Sequence, residues 1–519
     1  MLSVATTLVA GCHLVSGLDG FGADQPTPDA GGAGGVGGAS TSSGSVGGAP
    51  GTGGEGGAGG SAGGGEPGCV VPGTDKPCTG EVEAVRIFSA EEAADDIVVR
   101  DIHVDGTGAI YLVGESFGRA DLGFGAEGET GTNNGFALKL DRMLTSEWRQ
   151  VVIGVDYQSV RAVDTNADGS QVALGINFEG EATLDGVYFD NLQLNVTDSL
   201  LAKLDGDGNL TWARHFSGSG FDRLRDVAID AQGRIAYAGY FAGGLFVPGE
   251  GSVYGGDDGM LTRQQAFVGV RQADGSALWQ SEFGVPAEDE GIRKLESLGT
   301  TFIAAGYFDG SVDFGLGVLQ AVDDEDAAVV QFDGGTGLPA WQTRFYGDDS
   351  EFIQGLAQCP NGDLVVGGMF QSSFFIANEM GSHAVPSGWE MFWARLDAQG
   401  VWLQSDDING SREDFSYGNV VACGPDGRIV VGGAFNGPLE YGGAVPVQGD
   451  DGFVSKLDPD GSPVWTQVFS GNGDIEVLNV KTALDGSVVV VGHFTGEATF
   501  GTQTVIASAR DVFVVRLAP

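Results

Sequence analysis

Phenylalanine returns at Phe117, Phe178, Phe241, Phe308, Phe370, Phe435 and Phe494, with about sixty residues between consecutive copies. Each one follows a short apolar run with a glycine within three positions, as in Tyr111-Leu112-Val113-Gly114, Val365-Val366-Gly367-Gly368 and Val489-Val490-Val491-Gly492. Self-similarity at a fixed period of this length means that one supersecondary unit is repeated and that neighbouring units bury each other's faces.

Every copy follows one plan. A first apolar strand, as in Asp226-Val227-Ala228-Ile229, is followed by a Gly-containing turn such as Asp105-Gly106 or Asp426-Gly427. The Val-rich second strand runs to the marker Phe, and a long variable connection follows. The third strand, Phe453-Val454-Ser455-Lys456-Leu457-Asp458, is matched by Leu201-Ala202-Lys203-Leu204-Asp205 and Phe392-Trp393-Ala394-Arg395-Leu396-Asp397. After a second turn, Asp460-Gly461 or Asp207-Gly208, the fourth strand carries Trp148, Trp212, Trp279, Trp341, Trp402 or Trp465. Strand and turn signals at this density predict an all-β fold. Four antiparallel strands per repeat fit a propeller blade, and a ring of blades lets one domain grow to this length.

The last copy ends after its third strand, Phe513-Val514-Val515-Arg516-Leu517. Its missing fourth strand stands at the front of the domain. Ala84-Val85-Arg86-Ile87-Phe88-Ser89 matches Trp465-Thr466-Gln467-Val468-Phe469-Ser470 and Trp212-Ala213-Arg214-His215-Phe216-Ser217. Residues 82–519 are therefore expected to form a single seven-bladed β-propeller whose last blade is closed by the N-terminal strand, which pairs an otherwise bare edge. The fifth copy is irregular: Trp402 lies two residues early relative to Leu396, a slip that keeps it on the same face.

Ahead of the domain, residues 30–65 are almost wholly Gly, Ala and Ser, with no apolar material to offset the entropy of ordering. A tether of ~40 such residues has an r.m.s. span of about 35 Å. Leu8-Val9-Ala10-Gly11-Cys12 resembles the bacterial lipobox, in which the cysteine receives lipid and becomes the mature N-terminus. Only eleven residues precede Cys12 and none is Lys or Arg, so residues 1–11 read as a partial signal peptide. The remaining organisation is a disordered tether over 12–68, a Cys-flanked connector over 69–81, and the propeller. With lipobox, tether and repeats of the form DG…V.G.F…D.FV.KLD..G…W, the chain resembles the bacterial β-propeller-repeat lipoproteins. That resemblance implies an outer-membrane lipoprotein of the cell envelope, periplasmic or surface-exposed, with His13 after the cysteine permitting export. It implies no common activity, because fold does not carry function.

Cysteine usage fits the same compartment. Lipidated Cys12 and the pairs Cys69–Cys78 and Cys359–Cys423 would account for all five cysteines in an oxidising environment. Free buried thiols are the alternative.

The formal net charge is −46. Residues 1–80 hold six acids and one base, so the charge belongs almost entirely to the domain. Such a surface repels phosphate backbones and excludes a nucleic-acid partner, while favouring cations, basic proteins or plain solubility. Acids precede every first strand: Asp95 and Asp96, Asp156, Asp222, Asp289 and Glu290, Asp348 and Asp349, Asp414, and Asp474. In a propeller these connections gather on one face around the channel mouth, so they form a candidate binding face for a protein or a cationic ligand. They are also ordinary turn residues that cap backbone N–H groups.

Asp164-Thr165-Asn166-Ala167-Asp168-Gly169 matches the first half of a calcium loop, with Asp164, Asn166 and Asp168 as candidate ligands. The twelfth position is Gly175 rather than Glu, which favours a plain turn. Five histidines, His13, His103, His215, His383 and His493, lie in unrelated contexts. His493 stands where other copies have Tyr240 and Tyr307 and reads as structural. No nucleophile elbow or closely spaced zinc motif is present, and no catalytic residue and no cofactor is assigned, calcium being the lesser reading of the turn above. The leading expectation is a monomeric, membrane-anchored, non-enzymatic binding or scaffold module. The alternative is an envelope hydrolase or lyase using carboxylates at the channel mouth, which would call for polar residues of raised pKa converging there.

Overall fold

The computed structural model describes residues 78–519, apart from 93, 129–131, 192–195, 248–250, 255–263, 285–287, 323, 378–382, 409–419, 437–438, 440–449 and 508. Cys12, Cys69, Asp414, the signal segment and the tether lie outside the described residues. What is described falls within one compact unit, Gly65–Pro519. It is all-β, and no helix among the described residues is long and apolar enough to cross a membrane.

Each repeat folds as an antiparallel meander. Asp96–Val104, Ile110–Phe117, Asn133–Leu140 and Ser146–Gly154 pair in that order, as do Gln158–Thr165, Gln171–Phe178, Asp198–Asp205 and Leu210–Gly218. The marker residues Phe117, Phe178, Phe241, Phe308, Phe435 and Phe494 end their second strands, because the turn signals on either side confine the apolar run. Phe370 lies inside a longer strand, Leu364–Ile376.

First strands pack on one another in a closed round. Asp96–Val104 touches Gln158–Thr165, and the series continues through Arg223–Ile229, Glu290–Leu298, Glu351–Gln358 and Val420–Cys423 to Ile475–Thr482, which returns to Asp96–Val104. Sheets set side by side around a common axis define a β-propeller. The core lies between neighbouring meanders: Tyr111 and Val113 pack with Val160, Leu174 and Ile176 of the next. At the seam, Val489, Val491, Val512 and Val514 pack with Ile97, Ile102, Leu112 and Phe136.

The N-terminal strand Val82–Ala90 pairs with Asp511–Leu517, matching Val85 to Val515 and Ile87 to Phe513. Its register shift between Val82 and Ala84 repeats the shift seen between Lys203 and Leu204 against Trp212 and Leu210. The front strand thus copies a fourth strand down to its irregularity. Asp511 secures it, accepting hydrogen bonds from Ser89 Oγ at 2.9 Å and Ala90 N at 3.2 Å.

Four of the fourth-strand tryptophans tie their unit to the next. Trp148, Trp212, Trp279 and Trp341 donate Nε1–H to the carbonyls of Gly206, Ala273, Gly334 and Ala398 at 3.0–3.1 Å. The irregular fifth copy departs from this. Trp402 pairs with Leu396, and Gln404 takes the tryptophan's usual place opposite Arg395. Gln404 Nε2 and Arg395 Nη1 then donate to Asp460 O and Pro459 O, so amide and guanidinium replace the indole.

The variable connections contain a second tie. The hairpin Glu181–Leu184 and Val187–Asp190 pairs back onto Ser146–Gly154, and Glu497–Phe500 pairs onto Pro463–Gly471. Cys359 and Cys423, at the ends of neighbouring first strands, are joined by a disulfide with a Cα–Cα distance of 5.1 Å. Cys78 is also disulfide-bonded, while Cys69 is outside the described residues.

Candidate functional site

The first strands of the round enclose a cavity of about 160 Å³ lined from every repeat. Its charged residues are Asp101, His103, Asp164, Asp226, Lys294, Glu296 and Lys481, and Asn479 is among its neutral polar ones. Three of the carboxylates bridge neighbouring meanders. Asp101 Oδ2 accepts from Val163 N at 3.1 Å, Asp164 Oδ2 from Ile229 N at 2.6 Å, and Asp226 Oδ2 from Leu295 N at 2.8 Å. Asp101 Oδ1 also accepts from Asn479 Nδ2 at 2.9 Å, and Lys294 Nζ lies 4.0 Å from it. His103 Nδ1 is 2.6 Å from Asp164 Oδ1.

Burial pushes the Asp226 carboxyl up to about 7, against the pull of Lys294 and with Asp101 adding to the rise. Glu296 is raised to about 7 by burial, with Lys481 opposing and Asp164 adding. Burial works to lower the Lys481 ammonium, but Glu296, Asp101, Asp226 and Asp164 outweigh it and hold the group above its usual value. The cavity therefore holds acids and lysines that compensate one another.

The acids ahead of the first strands do not share one environment. Asp156, Asp348 and Asp474 are exposed. Asp96 is ion-paired with Arg510. Asp289 Oδ1 accepts from Gln264 N at 2.8 Å. Asp95 and Asp222 are buried at 4% and 1% exposure, which places them inside the wall rather than on a surface. Asp222 is pushed well above its ordinary value, mainly by burial and then by Asp198. Its side chain lies against Gly218, just as Gln158 lies against Gly154 and Glu351 against Gly347. In these three repeats a glycine at the end of the fourth strand leaves room for the side chain four residues on.

Asp164, Asn166 and Asp168 form separate hydrogen-bond sets. Asp164 faces the cavity, while Asn166 Oδ1 and Asp168 Oδ1 accept from Gln171 N and Ser170 N in their own turn. Among the described residues no group of three or more His, Cys, Asp or Glu side chains is placed to hold a metal ion. His493 Nε2 accepts from Val99 N at 2.9 Å across the seam, as Asn177 Oδ1 accepts from Leu224 N at 3.0 Å, and burial drives the imidazole well below its usual pKa. His215 Nε2 lies 2.6 Å from Asp198.

Sequence reasoning missed a set of arginines. The first strands carry a register shift at the same repeat position, between Val99 and Asp101, Val160 and Ala162, Leu224 and Asp226, and Ile292 and Lys294. The residues bulged out there are Arg100, Arg161, Arg225 and Arg293. The signal was present as an aliphatic residue followed by Arg, in Val99-Arg100, Val160-Arg161, Leu224-Arg225 and Ile292-Arg293. A bulge re-aims its side chain, so strict alternation does not reveal where these point. Arg100 pairs with Glu115. Arg161, Arg225 and Arg293, with Arg223, fall within one another's fields.

Against known proteins, no family model matches the chain and no curated protein matches it. Solved structures do resemble it. One, described as a mitotic checkpoint complex, is 11% identical with a TM-score of 0.40, covering 87% of this chain and 99% of that one. A Synechocystis apocarotenoid oxygenase mutant is 12% identical with a TM-score of 0.38, covering 83% and 94%. A structure of YCF48 bound to a D1 peptide is 13% identical with a TM-score of 0.29, covering 66% and 89%. Likeness at this level says nothing of function. The strand pairing and the round of first strands define the class: an all-β protein of propeller architecture.

Proposed function

We propose that this chain is a seven-bladed propeller lipoprotein of the bacterial outer membrane, anchored through Cys12, that acts as a non-catalytic binding module. Its ligand docks at the face where fourth strands hand over to first strands. The observation that carries this reading is the use of the cavity carboxylates. Asp101, Asp164 and Asp226 each accept a backbone N–H from the neighbouring repeat, so they are engaged in holding the ring. Exposed Asp156, Asp348 and Asp474 stand on the connections at that face and offer a negative rim.

One observation favours a second reading, an envelope hydrolase or lyase. Asp226 and Glu296, both raised to about 7, lie on one cavity with Lys294 and Lys481, the kind of setting in which general acids and bases work.

The test is to recover envelope ligands on the full chain, with and without calcium, for the wild type and for Asp156→Asn/Asp348→Asn/Asp474→Asn. A ligand recovered chemically unchanged, and lost by the triple variant, supports the binding module. A ligand recovered chemically altered, with the alteration abolished by Glu296→Gln, overturns it in favour of the enzyme.

A further inference from the structure

In a chain of net charge −46, four guanidiniums from neighbouring repeats gather on one side of the ring. Arg161, Arg225 and Arg293 occupy the bulge position of three consecutive first strands, and Arg223 begins the middle one. Arg161 is buried at 8% exposure, and the other three are half-buried. Tyr240 and Tyr307 flank them from the second strands: Arg293 lies 4.8 Å over the Tyr307 ring and 5.2 Å over Phe352. The Tyr307 hydroxyl donates to Gln264 Oε1 at 2.8 Å, which braces the ring beneath Arg293.

The electrostatics agree with the placement. Burial, then Arg161, Arg293 and Arg223, lower Arg225 to about 9, while Tyr240 opposes them. Burial alone would raise the Tyr240 phenol, but Arg223, Arg225, Arg161 and Arg293 together bring it below its usual value. Guanidiniums crowded in a partly dry site favour an anion, and their planar donor forks match oxyanions.

We propose that Arg161, Arg223, Arg225 and Arg293, with Tyr240 beside them, form a binding site for the oxyanion group of a small ligand. This deepens the binding-module reading and rests on it. The acidic rim sets the size of the ligand. Asp156, Asp348 and Asp474 repel an extended polyanion, whereas a small molecule with one phosphate or carboxylate passes to the arginines. Three neighbouring repeats supply the site: in the first copy Arg100 at the bulge is paired with Glu115, and Gln354 and Leu478 stand at that position in the fifth and last copies. The site is therefore one-sided, which orients a ligand within a pseudo-symmetric ring.

The experiment is calorimetric titration of the full chain with inorganic phosphate and with acetate, at low millimolar anion and ionic strength held constant with chloride. Saturable binding of either anion is expected, phosphate marking a phosphoryl ligand and acetate a carboxylate. Arg225→Gln and Arg161→Gln/Arg293→Gln should weaken it at least tenfold, while Arg395→Gln, which lies outside the cluster, leaves it unchanged. In low salt without anion, Arg225→Gln should melt no lower than the wild type, since it relieves like-charge repulsion. If it fails to fold, Arg225→Lys with the wild-type titration decides. Absence of binding by both anions, or equal binding by the Arg161→Gln/Arg293→Gln variant, overturns the site. Envelope-ligand capture that depends on the acidic rim but survives those arginine variants would leave the binding module standing and remove only the oxyanion site.

Discussion

Gly80 lies beneath the indole of Trp465: a Cβ on Gly80 would sit 2.5 Å from Trp465 Cδ2. The same contact recurs around the ring, with Gly208 under Trp148, Gly275 under Trp212, Gly337 under Trp279 and Gly400 under Trp341. In those cases the glycine belongs to the turn before the next fourth strand. For Trp465 it comes from the opposite end of the chain, just ahead of Val82–Ala90. The seam is thus closed by strand pairing and by the same indole-on-glycine contact as the other junctions.

Replacing Gly80 with Ala should be costly for two reasons, a φ of +62° and the clash with the indole. The left-handed conformation costs a non-glycine residue roughly 1–2 kcal/mol. Gly427, at φ +76° with nothing within 4 Å of its would-be Cβ, carries only that first cost. Gly80→Ala is therefore expected to lower the melting temperature clearly further than Gly427→Ala. Equal losses would mean that the contact with Trp465 does not hold the seam.

Strand positions, the marker Phe and the seam could be read from the sequence because each rests on a period of two or of about sixty residues. Three features could not. Hairpins such as Glu181–Leu184 with Val187–Asp190 pair outward to the preceding sheet, and nothing in the alternation of Glu181-Ala182-Thr183-Leu184 names its partner strand. The exchange of Trp402 for Gln404 shows only in the bonds of Gln404 and Arg395 to Asp460 O and Pro459 O, partners that the sequence pattern does not name. The arginines lie on bulges, and the acids ahead of the first strands divide between wall and surface over one or two residues, so composition alone made Asp222 and Asp156 look alike.

The Cys359–Cys423 bridge spans a sequence separation of 64 residues and joins adjacent first strands. Closing a loop of that length in the unfolded chain is worth about 4 kcal/mol on the chain-entropy account. Cys359→Ala/Cys423→Ala should lose several degrees in melting temperature, and reductant should lower the wild type further than the variant, which keeps only the bridge at Cys78. Insensitivity of the wild type to reductant, with two titratable thiols, would rule the bridge out.

Glu351 provides a pH test. It is fully buried, and burial, then Asp326 and Asp349, raise it to about 10, with Arg344 opposing. Between the unfolded value near ~4.3 and the folded one, the folded state binds more protons. The stability linked to this group is thus fully present below the unfolded pKa and declines as pH rises toward about 10. Glu351→Gln, which mimics the protonated form, should melt higher than the wild type at pH 9 and close to it near pH 4. Parallel curves at both pH values would show that Glu351 ionises freely in the fold.

The lipid anchor proposed at Cys12 has a direct readout. Cys12→Ser should move the protein from the membrane to the soluble fraction and abolish incorporation of labelled fatty acid. A wild type that takes up no label, with the variant still in the membrane fraction, would exclude the anchor.

The acids ahead of the first strands separate into two experiments. Asp156, Asp348 and Asp474 are exposed, and surface substitutions of this kind usually change stability by no more than about 0.5 kcal/mol. Their joint conversion to Asn should leave the melting temperature nearly unchanged at moderate salt. If they form a cation-binding rim, millimolar calcium or a cationic peptide stabilises the wild type by mass action, and the triple variant loses that response. Asp222 is different because its carboxyl is buried and raised well above its usual value. The folded state again holds the extra proton, so the wild type loses stability as pH rises from the unfolded carboxylate range. Asp222→Asn should therefore raise the melting temperature at pH 7 and leave the calcium response intact. A calcium response abolished by Asp222→Asn and retained by the triple variant would place the cation inside the wall and refute the rim. If calcium and cationic peptide shift neither protein, the exposed acids serve as turn caps and solubilising charge.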